Sequence, residues 1–202
     1  MFGMESNRFF GRKVLVTAAA TPLGRALALG LARRGADVLA IDRDMAGLSD
    51  LAWDCAGAVQ TGTGDATIPE EAAVIASWIR SDHASLAGLI ACPNAAGQAP
   101  SSQLLQRLTR LLRGNPDPFA GVVLPDGTAE LSGLGEGHAP AEPRFGITRI
   151  ILPPGSGDCD HPAMADAALR AINARAAVVH LAARRPSRRR SALNRILVRA
   201  AA

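Results

Sequence analysis

The residues here with the plainest capacity for chemistry are eight in a row, Thr17-Ala-Ala-Ala-Thr-Pro-Leu-Gly24, between a β-type run and a leucine-rich helical pattern. A tight turn at that junction offers a phosphate the unpaired N–H groups and positive dipole end of a helix, which is how a pyrophosphate is cradled. Two residues act against this: Ala18 adds a methyl where the turn wants none, and Pro22 removes one N–H. Pro22 is also a good first helical residue with no ligand present. Ser132 and His138 share a glycine-rich stretch, but no Gly-x-Ser-x-Gly elbow surrounds Ser132, and both read as solvated loop residues. Cys55, Cys92 and Cys159 are odd in number and widely spaced, and His83, His161 and His180 are scattered, so neither a disulfide framework nor a metal site is signalled. The chain has no tyrosine and its one lysine is Lys13, so no mechanism here can use a tyrosine acid or an interior lysine. No catalytic residue is assigned.

These residues need elements to hold them, and the first hundred positions supply an alternation of short apolar runs with helical patterns, as in a parallel sheet wrapped by helices. Val14–Thr17, Asp37–Ile41, Ala58–Thr61 and Leu86–Cys92 read as strands. Helices are expected from Leu23, Leu27 and Leu31, stopped by Gly35, then over Met45–Trp53 and from Pro69 to Arg80, where proline and two acids suit a helix N-terminus. Ser101–Arg113 places Leu104, Leu105, Leu108, Leu111 and Leu112 on one face. Ala120–Leu124 and Ile147–Leu152 are further strands, separated by a stretch too rich in glycine and proline for a long helix, and Pro162 to about Ala183 reads as one alanine-rich helix. The fold class is therefore α/β, a Rossmann-like doubly wound parallel sheet with helices on both faces. One domain is expected over residues 1–183, with a basic amphipathic extension over 184–202.

The turn Thr17 to Gly24 resembles that of the short-chain dehydrogenase/reductase family, which reads Thr-Gly-x-x-x-Gly-x-Gly; Thr17 and Gly24 match, and Ala18 and Pro22 replace the first two glycines. Asp65-Ala66 resembles the Asp-Val pair that borders the adenine, Asn94-Ala-Ala-Gly97 the Asn-Asn-Ala-Gly after the fourth strand, and Gly146 to Gly155 the sixth strand and its Pro-Gly turn. The resemblance implies a dinucleotide site at Thr17, Ala18, Pro22, Leu23, Gly24, Asp42, Arg43, Asp65, Ala66, Asn94 and Gly97. Asp42 would accept hydrogen bonds from the adenosine ribose, favouring NAD over NADP, with Arg43 as the counter-argument and a solvated strand end as the bland alternative. Cys92 would lie near the nicotinamide half, where it reads as a buried structural thiol. The family's Tyr-x-x-x-Lys is missing, and residues 125–146 leave only twenty-two positions for the helix that carries it and often builds the family's dimer. A family-type dimer is not expected.

Charge is unevenly placed. From Arg184 to Ala202 there are seven arginines and no acid, leaving a body with fifteen basic and eighteen acidic groups. Leu193, Ile196, Leu197 and Ala200 at helical spacing make this tail a small basic amphipathic segment, suited to a protein partner's groove or an anionic membrane surface, with a frayed terminus as the alternative. Without aromatics there, nucleic acid is the weakest partner. No apolar run is long enough to cross a bilayer and Met1–Arg12 has no signal core, so a cytoplasmic location is expected. Three functions follow: a non-catalytic binding or assembly subunit, an NAD(P)-dependent oxidoreductase with a non-standard active site, or a dinucleotide-binding regulator without turnover.

Overall fold

The computed structural model describes residues 7–83, 86–112, 114–124, 147–153 and 159–181. Among these residues seven strands form one sheet: β1 (Lys13–Thr17), β2 (Asp37–Asp42), β3 (Val59–Thr63), β4 (Gly88–Ala91), β5 (Phe119–Leu124), β6 (Ile147–Ile151) and β7 (Val178–His180). Their order is β3-β2-β1-β4-β5-β6-β7, every neighbouring pair parallel. The chain thus starts in the middle, runs out to one edge, and crosses back between β3 and β4. That reversal opens a crevice at the C-terminal ends of β1 and β4, where ligands bind in doubly wound sheets. The four residues of β4 and all six of β5 are buried, as inner parallel strands must be when both faces are covered.

Helices α1 (Pro22–Ala32), α2 (Met45–Asp54) and α5 (His161–Asn173) cover one face, packing Leu27, Leu31, Leu51 and Leu169 on Val14, Val16 and Val38. Helices α3 (Ala72–His83) and α4 (Ser102–Leu112) cover the other, packing Ile75, Ile79, Leu104 and Leu108 on Leu15, Leu39 and Leu89. α1 and α5 touch closely, since a Cβ on Gly30 would stand 2.7 Å from Leu169 Cδ1. Capping fixes where helices begin: Thr21, Asp44 and Asp160 each accept a backbone N–H from the first turn of the helix that follows.

Two expectations need correcting. The helix predicted from Pro162 to about Ala183 ends at Asn173; Arg175 then takes a left-handed φ of +57°, and Val178–His180 pairs with β6. Alanine-rich composition carried the helical reading too far, whereas two adjacent valines beside an open sheet edge gain more by completing the ladder. The helix predicted to open at Pro69 is preceded by a short 3₁₀ turn, Pro69–Glu71, before α3 starts at Ala72. Ser132, His138 and the segment 184–202 lie outside the described residues. No helix among the described residues is long and apolar enough to cross a membrane.

Candidate functional site

A cleft of about 340 Å³ lies at the C-terminal ends of β1–β4, at the small end of the range for ligand sites. Its lining brings together seven of the predicted residues, Ala18, Pro22, Asp42, Arg43, Asp65, Ala66 and Asn94. The other four do not line it. Thr17 is buried, and its hydroxyl donates to the Cys92 carbonyl (3.1 Å) and accepts the Cys92 N–H (2.9 Å), which clamps β1 to the end of β4. Leu23 packs in the core. Gly24 lets α1 approach the turn, since a Cβ there would stand 2.1 Å from the Ala18 carbonyl oxygen. Gly97 has a φ of +79° and closes the loop in which Asn94 Oδ1 accepts the N–H groups of Ala96 and Gln98, both at 3.0 Å.

The turn that would cradle a phosphate spends most of its donors on itself and on the end of β2. Ala19 N–H donates to Ile41 O (3.1 Å), Ala20 N–H to Asp42 Oδ2 (3.0 Å), Thr21 N–H to Ala18 O (3.1 Å), and Gly24 N–H to Thr21 Oγ1 (3.2 Å). Ala18 occupies the left-handed region, φ +50°, that the missing glycine would reach without strain. Asp42 accepts two backbone hydrogen bonds, from Ala20 and from Asp44 at 3.0 Å, so it ties the first turn to the end of β2.

The opposite wall is chemically open. Asp65 Oδ1 accepts from the Thr67 N–H (2.9 Å) and hydroxyl (2.6 Å), and these bonds, led by the hydroxyl, hold the carboxyl below its ordinary range despite opposing burial. Asp65 Oδ2 faces the exposed Arg43 guanidinium at 3.7 Å. The Ala66 carbonyl accepts the Ser101 N–H at 2.8 Å, while the Ala66 N–H has no partner among the described residues. The wall thus presents a backbone donor and a carboxylate acceptor on adjacent residues.

Cys92 also lines the cleft, but burial pushes its thiol up to about 12, so it is neutral near pH 7 and no nucleophile. His161 opens α5 and His180 lies in β7; among the described residues no three His, Cys, Asp or Glu side chains group as metal ligands do. Sequence reasoning passed over three polar lining residues, Thr21, Asp44 and Thr67. Thr21 before Pro22 and Asp44 before a helix both carried a capping signature; Thr67, two residues after Asp65, carried that of an Asx turn.

The family model for short chain dehydrogenase matches residues 12–110, the segment that builds β1 to α4. Over those residues the chain resembles the short-chain dehydrogenases. Similar solved structures include a 7α-hydroxysteroid dehydrogenase complexed with NADH and 7-oxo glycochenodeoxycholic acid, at TM-score 0.69 and 14% identity over 90% of this chain and 96% of that one. The Escherichia coli hydroxysteroid dehydrogenase aligns at TM-score 0.65 and 14% identity, covering 89% of this chain and 98% of that one. The citronellol catabolism dehydrogenase of Pseudomonas aeruginosa aligns at 0.64 and 15%, covering 86% and 94%. At such identities the likeness speaks for the fold. Among curated proteins, none matches by sequence.

Proposed function

We propose that this chain is a non-catalytic binding subunit built on the short-chain dehydrogenase fold, holding an adenosine-containing ligand in the β1–β4 cleft without passing a hydride. One observation supports the reading: Asp65 Oδ2 and the Ala66 N–H, the acceptor and donor that an adenine edge calls for, are free of hydrogen bonds among the described residues, in a sequence that contains no tyrosine. The family's tyrosine works as the proton donor at the substrate oxygen, and a thiol held near 12 is a poor replacement at neutral pH. On the ribose, Asp42, Asp44 and Asp65 oppose a 2′-phosphate, with Arg43 the one cation among the described lining residues, which supports NAD-like over NADP-like adenosine. The arginine-rich segment 184–202 is then the output, engaging a protein partner in the cytoplasm.

The test pairs two assays on the purified full chain. Oxidation of NADH and NADPH is followed against a panel of ketones and aldehydes, and melting temperature is followed with added adenosine compounds. The reading expects no oxidation above the protein-free rate, and a ligand-dependent rise in melting temperature that Asp65→Ala removes. Substrate-dependent oxidation of either nucleotide, abolished by Asp65→Ala, would overturn it in favour of an oxidoreductase with a non-standard acid.

A further inference from the structure

We infer that the cleft is specific for an adenosine whose 5′ substituent carries no diphosphate, a nucleoside-type ligand with a neutral or cationic 5′ group. This rests on the adenosine reading above and names its ligand class. A diphosphate needs donors and a tolerant field, and the geometry provides little of either.

Consider the donors first. Across residues 18–24, four backbone N–H groups are already bonded and Pro22 has none, leaving the Leu23 N–H at the head of α1 and the Ala18 N–H at the end of β1 without partners among the described residues. Thr21 deepens the deficit because its hydroxyl donates to Ala18 O at 2.7 Å while accepting the Gly24 N–H, so it is committed in both directions. A helix start capped by its own side chain has little left to offer an oxyanion.

The field points the same way. Asp42, Asp44 and Asp65 line the cleft against Arg43 alone, a balance of −2 among the described lining residues, and Glu71 adds a carboxylate bonded to the Asp65 N–H at 2.7 Å. Arg43 is 71% exposed at the rim and faces Asp65, so it does not offset the carboxylates beneath the turn. Placing two further negative charges over them is opposed by each one. The adenine edge and a ribose acceptor at Asp42 do not depend on the 5′ group, because each carboxylate oxygen keeps a second lone-pair direction.

The experiment is calorimetric titration of the full chain with adenosine, 5′-AMP, ADP-ribose and NAD⁺, repeated on Pro22→Gly. Adenosine is expected to bind at least tenfold more tightly than ADP-ribose or NAD⁺, with 5′-AMP between them. Pro22→Gly returns one N–H to the turn and should improve ADP-ribose affinity about tenfold relative to that of adenosine. ADP-ribose or NAD⁺ binding more tightly than adenosine to the unaltered chain would overturn this inference and leave the adenosine reading standing. No binding by any of the four at millimolar concentration would overturn both.

Discussion

At the N-terminal ends of the strands, Arg8 and Arg175 each pair with Asp117 at 3.0 Å and Arg12 at 3.3 Å, while Arg8 and Arg12 lie over the Phe119 ring. At the C-terminal ends the proportions reverse, with three aspartates facing one arginine around the cleft. The lower knot joins segments remote in sequence: residues 8–12, the loop before β5, and the turn after α5. The Arg8 side chain is only 10% exposed, and burial pulls its guanidinium down while Asp117 opposes that pull. The upper cleft instead has no such cluster of ion pairs: backbone and hydroxyl bonds such as Thr67 to Asp65 and Ala20 to Asp42 shape it, and Asp65 Oδ2 and the Ala66 N–H stay free of hydrogen bonds among the described residues. One end of the sheet is closed by paired charges, and the other leaves a carboxylate oxygen and a backbone donor open in a cleft.

That contrast can be broken from either end. The largest effect is expected from Gly24→Ala, because its Cβ meets backbone rather than a movable side chain; it should cost about 3 kcal/mol, read by urea denaturation. Asp117→Ala should cost about 2 kcal/mol, since it strands the buried Arg8 charge, discounted because Asp117 is itself 40% exposed. Asp117→Ala should leave adenosine affinity unchanged, whereas a loss there would deny the independence of the two ends.

A finer probe uses acid. The Asp65 carboxyl is depressed in the folded chain, so its contribution is present above the unfolded carboxylate value near ~3.9 and is lost as pH falls through the lower folded value. Thr67→Val removes the leading cause, and should lower stability at neutral pH by about 1 kcal/mol while making the acid loss below about pH 4 shallower. An unchanged acid limb would show that Asp65 draws nothing from Thr67. The smallest change runs the other way: Ala18→Gly relieves a left-handed alanine and should stabilise by about 0.5 kcal/mol, seen as a slight rise in melting temperature.

Much of the fold was legible in the sequence because its signals are local. Apolar runs such as Asp37–Ile41 and the leucine spacing of α4 report burial directly, and Thr21-Pro22 and Asp160 mark helix starts. β7 was not legible, since Val178–His180 becomes a strand only because β6 offers a free edge. Seven of the eleven predicted site residues meet in one cleft. The other four match by motif position, which cannot separate a residue that touches a ligand from one that lets the backbone pass.

By itself, the sequence determined the α/β alternation, the resemblance carried by residues 12–110, and the lack of a tyrosine acid, all of which follow from residue identity and spacing. Tertiary structure decided how the donors are spent. Whether an N–H is free for a phosphate depends on what stands opposite it, and Ile41 O, Asp42 Oδ2 and Thr21 Oγ1 reach the turn only once β2 lies beside β1 and α1 has closed onto it. The knot at Asp117 is of the same kind, joining Arg8 and Arg175 across a distance in sequence that no local pattern records.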